Sequence, residues 1–116
     1  MSSTLHIAVA EEKGSKPVTV LHLRGDLDAS TQPELEEKAG GLIDSGAVYL
    51  LIDLAEIGYM GSAGLRALHS IANKLPETGQ LKLLRPSESV GKVFKTLGFD
   101  SYFDIHIDLD EAVQSF

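Results

Sequence analysis

Ser62 lies in the part of this sequence where residue types and spacing most suggest chemistry. In the stretch EIGYMGSAGLRALHSI, residues 56–71, it is flanked by Gly61 and Gly64 and precedes an apolar helical pattern. A hydroxyl in this setting could be a nucleophile, part of a phosphate-binding loop, a regulatory modification site or only a helix cap. The rest of the sequence has to decide among these four alternatives.

The motifs that would make Ser62 catalytic are missing from the sequence. A nucleophile elbow needs glycine two residues before and two residues after the serine, and Met60 occupies the first of these positions. The glycine spacing in GYMGSAG matches neither a dinucleotide-binding loop nor a Walker loop. No motif marks a triad base among the four histidines, His6, His22, His69 and His106. The sequence therefore predicts no catalytic residues and a protein that is not an enzyme.

A second group of polar residues, near the C-terminus, has the alternating spacing that metal ligands can have. The group comprises Asp104, His106, Asp108 and Asp110. Alternation along the predicted strand YFDIHI puts such side chains on one solvent-facing surface, which is the ordinary reason for the pattern. The chain has no cysteine, and it has no metalloprotease or calcium-loop spacing. The sequence predicts no metal site and no cofactor.

Asp26 and Asp28, in the segment RGDLDAS, allow two interpretations. Carboxylates before a helix are common as turn-forming residues. They would also lie at the carboxyl end of a strand, where open α/β sheets place their sites. Because YMGSAG follows another strand, the Asp28 and Ser62 loops are expected to lie side by side.

Ser62 itself has two interpretations at the level of local sequence. It directly precedes a helical pattern, which predicts that it is the N-cap and that Ser62→Ala costs about 1 kcal/mol. The same helix start offers free N–H groups and a positive dipole end, which would accommodate a phosphate on Ser62. The cap and the modification site both remain open at this point.

The order of predicted elements is ββαβαβαβα. Two amphipathic strands open the chain, and AVYLLIDL has the continuous apolar character of a strand buried on both faces. Thr31 and Glu34 fit a capping box, whereas Ser87 and Gly98 fit the start and the stop of a later helix. We therefore expect a single α/β domain over residues 1–116, with a mixed, mostly parallel sheet and helices packed on it.

The charge of the chain limits its partners. Its 116 residues carry a formal net charge of −7, which disfavours both nucleic acid and anionic membrane surfaces. The start, MSSTLHIAVAEEK, does not have the pattern of a signal peptide, and no apolar segment reaches the length of a membrane span. These features predict a cytoplasmic protein without direct nucleic-acid contact or membrane insertion.

Three segments together resemble the STAS domain family, particularly the anti-sigma factor antagonists. They are LRGDLDASTQPEL, LLIDLAEIGYMGSAGLRAL and SVGKVFKTLGFDSYF, in family order and over almost the whole chain. The central segment is the most distinctive, because the family has an Asp-Ser-Ser/Thr-Gly-Leu loop there. In that alignment Ser62 takes the phosphoacceptor position, and Asp28 matches an Asp of a nearby G-x-L-D loop.

The resemblance implies a phosphorylation-controlled partner switch. With Ser62 unphosphorylated, the protein would bind an anti-sigma factor serine kinase, so that a sigma factor or another client is released. Phosphorylation of Ser62 would end that binding, and a separate serine phosphatase would reset the protein. The implied partner-binding residues are Asp26, Asp28, Ser30, Gly61, Ser62, Ala63, Gly64 and Arg66.

Two positions depart from the family pattern. Gly61 replaces the Asp beside the acceptor, and Ala63 replaces the second hydroxyl residue. An alternative keeps the fold but makes the chain a STAS subunit of a transport or signalling complex, in which Ser62 is only a helix cap.

Overall fold

The computed structural model describes residues 4–116, and the element order ββαβαβαβα is confirmed there. No helix in this part of the chain is long and apolar enough to cross a membrane. The elements are β1 (Leu5–Lys13), β2 (Pro17–Leu27), α1 (Gln32–Asp44), β3 (Tyr49–Met60), α2 (Ser62–Lys74), β4 (Gln80–Leu84), α3 (Glu88–Leu97), β5 (Ile105–His106) and α4 (Leu109–Gln114).

The strands form one sheet in the order β1-β2-β3-β4-β5. β1 pairs antiparallel with β2 as a hairpin, and every other neighbouring pair is parallel. Since parallel strands end at the same edge, the segments that follow β2, β3 and β4 meet along one edge of the sheet. Ser62 lies at this edge.

Both faces of the sheet carry apolar side chains, as the sequence of β3 predicts. Residues 50–54 of β3 are all buried. Side chains from α1, α2 and α3 form the larger cluster on one face, and α4 covers a smaller cluster on the other. That smaller cluster consists of Val18, Val20, Leu51, Leu84, Ala112 and Val113.

Helix-end predictions have mixed outcomes. Ser87 is the N-cap of α3, its hydroxyl oxygen accepts from the Val90 N–H, and Gly98 ends the helix in the left-handed region at φ 76°. The capping box at Thr31 is wrong. Thr31 is the N-cap residue of α1 but makes no side-chain cap bond. Its hydroxyl oxygen instead accepts from the Asp28 N–H at 3.0 Å, and the hydroxyl donates to the Asp26 carbonyl oxygen at 2.8 Å.

The alternating C-terminal group is not one strand face, which corrects the sequence interpretation. β5 contains only Ile105 and His106, and Asp108 instead caps α4 by accepting from the Glu111 N–H at 2.9 Å. Asp104 pairs with Lys82 Nζ at 3.1 Å and with His106 Nε2 at 3.1 Å. Burial raises the pKa of Asp104, but these two partners outweigh that effect and leave the pKa below its usual value.

Candidate functional site

The loops after β2 and β3 lie against each other, as the sequence predicts. Leu27 and Met60 are register partners at the ends of the two strands. Just beyond them, the Gly61 N–H donates to the Leu27 carbonyl oxygen at 3.0 Å. Asp28 follows Leu27, and Ser62 follows Gly61, so this backbone bond brings their two loops together at the sheet edge.

Ser62 is not the N-cap of α2, and the sequence-based cap assignment is wrong. The cap is Gly61, in an extended conformation at φ −97° and ψ −177°, and Ser62 is the first helical residue. Within residues 4–116, the Ser62 hydroxyl has no hydrogen-bond partner, and the residue is exposed. The helix therefore begins without using this hydroxyl, which remains open to solvent.

Gly64 packs the first turn of α2 directly onto the end of β2. A Cβ atom at this position would lie 2.9 Å from the Leu27 carbonyl oxygen and 2.9 Å from Met60 Cγ. Only glycine leaves room for so close an approach of helix and strand. Ala63, at 5% exposure, is buried beside it. Ala63 and Gly64 are therefore buried between the loop and β2. This corrects the expectation that both residues lie on the contact surface.

Tyr59 is a site residue that sequence reasoning missed. Its ring lies across Gly61, so that a Cβ at position 61 would be 3.1 Å from the Tyr59 hydroxyl oxygen. Tyr59 is 56% exposed although it belongs to β3, whose residues 50–54 are all buried. The sequence did show an aromatic residue three positions before Ser62. Whether that ring would be exposed, however, depends on the orientation of the last residues of β3, which the sequence does not give.

The end of β3 is held by side chains from the start of α3. β4 stops at Leu84, and the last residue pair between β3 and β4 is Asp53 with Leu84. Instead the Ser87 hydroxyl donates to the Ile57 carbonyl oxygen at 2.6 Å, and the Ser89 hydroxyl donates to the Gly58 carbonyl oxygen at 3.0 Å. These bonds fix the chain that leads into Ser62.

Asp28 organises the neighbouring loop. Its Oδ1 accepts from the Ser30 N–H at 2.9 Å, the Ser30 hydroxyl at 2.7 Å and the Thr31 N–H at 3.3 Å. The turn-forming interpretation of Asp28 is therefore confirmed. The position at the carboxyl end of a parallel strand is confirmed as well, so the two interpretations do not compete. Asp26, half-buried, is the register partner of Tyr59.

An apolar groove of about 390 Å³ opens beside Ser62, between α2 and the chain that follows α3. Arg66, an exposed residue one turn after Ser62, lines it. The Tyr102 hydroxyl lies 2.8 Å from His69 Nδ1 and ties the two walls together. The lining comprises Ser62, Leu65, Arg66, His69, Leu97, Phe99 and Tyr102. Ser62 and Arg66 thus border one surface, while Asp28 and Ser30 lie on the adjoining loop.

Comparisons with known proteins agree with this geometry. The STAS domain model matches residues 9–112. The anti-sigma-F factor antagonist RsfB of Mycobacterium tuberculosis is 26% identical over 110 residues, which are 95% of this chain and 88% of that protein. An anti-sigma-B factor antagonist of Staphylococcus epidermidis is 30% identical over 83 residues, 71% of this chain and 77% of that protein.

A solved structure extends the likeness to three dimensions. The crystal structure of an anti-sigma factor antagonist from Mycobacterium paratuberculosis superposes with a TM-score of 0.85 at 25% identity, covering 97% of this chain and 93% of that one. The family model alone spans most of the chain. The chain therefore belongs to the STAS domain family.

Proposed function

We propose that this protein is an anti-sigma factor antagonist, acting as one STAS module over residues 1–116 and controlled by phosphorylation of Ser62. It binds an anti-sigma factor serine kinase while Ser62 is unmodified and releases that kinase once Ser62 is phosphorylated. A serine phosphatase restores the binding form. The observation that carries the proposal is the exposed Ser62 hydroxyl, which is left without a partner among residues 4–116 at the start of α2.

The surroundings of Ser62 support a modification that leaves the fold intact. A phosphate there carries about −1.5 to −2 charges. It would lie at the positive end of the α2 dipole, which stabilises an anion by about 0.3–1 kcal/mol. The same charge would enter the rim of the apolar groove, where a bound partner would have to desolvate it. Phosphorylation would therefore weaken partner binding while α2 remains folded.

The proposed contact surface is formed by Asp26, Asp28, Ser30, Gly61, Ser62 and Arg66, with Ala63 and Gly64 behind it. In this role the protein is a substrate and a binder, and it needs no catalysis of its own. Its proposed partners work on sigma factors, which places its action in the cytoplasm. The alternative role in a transport or signalling complex treats Ser62 as only a helix cap, and the structure assigns that position to Gly61.

Mass mapping after kinase treatment tests the proposal. The full chain is incubated with anti-sigma factor serine kinases and ATP, and we expect one phosphate, on Ser62. Ser62→Ala should take up none. Ser70→Ala is the matched control, because Ser70 is an exposed serine of α2 outside the proposed contact surface, and it should be modified like the wild type. Phosphate on Ser30, Thr31, Ser87 or Ser89 instead of Ser62 would contradict the assignment.

A further inference from the structure

A second cavity, of about 570 Å³, lies on the sheet face opposite to α1, α2 and α3. α4 covers only the apolar cluster at one end of this face. Beyond that cluster, β1, β2 and β3 and the residue after β4 present polar side chains to solvent. The cavity is lined by His6, Ile7, Ala8, His22, Leu23, Arg24, Asp53, Ala55, Glu56 and Arg85.

Asp53 is the fixed centre of this cavity. Its side chain is only 9% exposed, and its Oδ2 accepts from His22 Nδ1 at 2.8 Å and from Arg85 Nη2 at 2.9 Å. Its Oδ1 accepts from the Ala55 N–H at 3.1 Å. Burial raises the pKa of Asp53, but the bonds from Ala55, His22 and Arg85 outweigh it and hold the pKa below its usual value. Asp53 is therefore an ionised carboxylate with its acceptors in use.

The Asp53 carboxylate determines which atom His22 offers to the cavity. An ionised carboxylate only accepts hydrogen bonds, so His22 Nδ1 must carry the proton that lies between them. In the neutral imidazole, the other nitrogen, Nε2, is then an acceptor. With this tautomer, Nε2 can accept a hydroxyl hydrogen from a ligand in the cavity.

Two arginine side chains, Arg24 and Arg85, bring positive charge to the same cavity. Arg85 adopts φ 47°, a left-handed conformation that non-glycine residues rarely take, and its N–H donates to the His106 carbonyl oxygen at 2.7 Å. Its side chain bonds Asp53 and is still 44% exposed. Arg24 is exposed and forms no ion pair with any of residues 4–116. Both arginines face one cavity of a chain whose net charge is −7.

We propose that this cavity binds a small oxyanion that carries its own hydroxyl group, such as hydrogen phosphate or a hydroxycarboxylate. The anionic oxygens pair with the guanidinium groups of Arg24 and Arg85. The parallel N–H donors of a guanidinium match two oxygens of one carboxylate or phosphate group. The hydroxyl donates to His22 Nε2. Glu56, on the cavity wall, is the one lining carboxylate outside the Asp53 cluster, and it opposes the ligand's charge. The site lies on the sheet face opposite to the α2–α3 groove and is independent of the proposed role of Ser62.

Matched ligands test the hydroxyl requirement. Amide NMR shifts of the full chain are followed at pH 7.5 and low salt during titration with phosphate, sulfate, citrate and tricarballylate. Sulfate lacks the hydroxyl of hydrogen phosphate, and tricarballylate lacks the hydroxyl of citrate. We expect phosphate to bind at least about threefold more tightly than sulfate, or citrate to bind more tightly than tricarballylate by the same ratio. The amide shifts should change at residues 22, 24 and 85. The pair with the larger ratio identifies the phosphate or carboxylate source. Equal affinities within both pairs, or no shifts at these residues, would overturn the proposal.

Matched variants test the charge requirement. Arg24→Gln should weaken binding of the preferred ligand by about three- to fivefold, and Glu56→Gln should tighten it by about two- to threefold. Neither residue has an ion pair to lose within residues 4–116, so both variants should melt like the wild type. The control is Lys38→Gln, which removes one positive charge from an exposed residue of α1. It should leave the affinity unchanged. Equal weakening by Arg24→Gln and Lys38→Gln would show a general charge effect and refute the site.

Discussion

The starts of α2 and α3 share one attachment to the sheet and differ in another. In both helices the N-cap N–H donates to a strand carbonyl oxygen, from Gly61 to Leu27 at 3.0 Å and from Ser87 to Leu54 at 3.2 Å. α3 adds hydroxyl groups, since Ser87 caps it and donates to the Ile57 carbonyl oxygen, and Ser89 donates to the Gly58 carbonyl oxygen. α2 instead adds the close packing of Gly64 on Leu27. Both helices begin beside a serine, but only α3 uses its serine for structure.

The difference bears on the proposed phosphorylation of Ser62. A hydroxyl that holds the chain, as in Ser87, cannot be phosphorylated without losing its bonds. At the start of α2, the Gly61 N–H bond and the packing of Gly64 attach the helix to the end of β2 without a hydroxyl group. The Ser62 hydroxyl is therefore not needed for this attachment. The predictions below disturb each kind of attachment in turn.

The largest effect is expected from Gly64→Ala. The new Cβ would lie 2.9 Å from both the Leu27 carbonyl oxygen and Met60 Cγ, so the first turn of α2 must move away from β2. Overpacking of this kind costs about 1–3 kcal/mol. Chemical denaturation measures the loss in free energy of unfolding. The control is Gly41→Ala in α1, where a Cβ would meet nothing within 4 Å, and there we expect a gain of about 0.5–1 kcal/mol. Equal effects at both positions would show that contact with β2 does not hold α2.

Ser87→Ala should give the next largest effect. It removes the α3 cap and leaves the Ile57 carbonyl oxygen without this partner, at a combined cost of about 2 kcal/mol. Ser62→Ala removes no hydrogen bond within residues 4–116, so it should change stability by less than about 0.5 kcal/mol. Thermal and chemical unfolding of the two variants provide the comparison. A loss of about 1 kcal/mol in Ser62→Ala would contradict the structure and show that the Ser62 hydroxyl does cap α2.

The same pair of serines shows how far the sequence could be interpreted. Both precede an apolar helical pattern, and the cap assignment is correct for Ser87 and wrong for Ser62. The two cases differ by one residue in where the helix begins, and that position depends on contact with another strand. Gly61 is the cap, and the close packing of Gly64 on Leu27 and Met60 fixes where α2 meets the strands. That tertiary contact is not contained in any local pattern.

Long-range contacts explain the other outcomes as well. The element order and the buried β3 follow from hydrophobic periodicity, which local sequence contains. The meeting of the Asp28 and Ser62 loops follows from the rule that parallel strands share an edge. Thr31 makes no side-chain cap bond because its hydroxyl oxygen accepts from the Asp28 N–H and the hydroxyl donates to the Asp26 carbonyl oxygen. The cluster of Asp53 with His22 and Arg85 joins residues more than thirty positions apart, so sequence analysis had no signal for it.

Partner affinity is expected to separate Ser62→Asp from Ser62→Ala. Since Ser62 has no structural bond to lose within residues 4–116, both variants should be about as stable as the wild type. Under the proposed switch, Ser62→Ala still binds the anti-sigma factor kinase, whereas Ser62→Asp brings a charge to the groove rim and binds at least about tenfold more weakly, or about 1.4 kcal/mol. Calorimetric titration with the kinase measures both affinities. Equal binding by the two variants would end the case for Ser62 as the switch.

The smallest effect is expected at Gly61, where a side chain can make the start of α2 resemble that of α3. The backbone at φ −97° and ψ −177° is open to any residue. Asp caps helices slightly better than Gly and also favours the positive dipole end, so Gly61→Asp should add about 0.5 kcal/mol. Ala lacks a capping oxygen, so Gly61→Ala should lose about 0.5 kcal/mol. Chemical denaturation of the three proteins tests the order Asp, Gly, Ala.

Tyr59 decides whether that order reflects capping. Any Cβ at position 61 would lie 3.1 Å from the Tyr59 hydroxyl oxygen, but this ring is 56% exposed and free to turn away. If the contact were costly, Gly61→Asp and Gly61→Ala would both lose stability, and both losses would shrink in a Tyr59→Phe background. If capping dominates, the gap of about 1 kcal/mol between Asp and Ala persists in that background. The second result would confirm that position 61 is the N-cap of α2 and that a capping side chain there stabilises the helix.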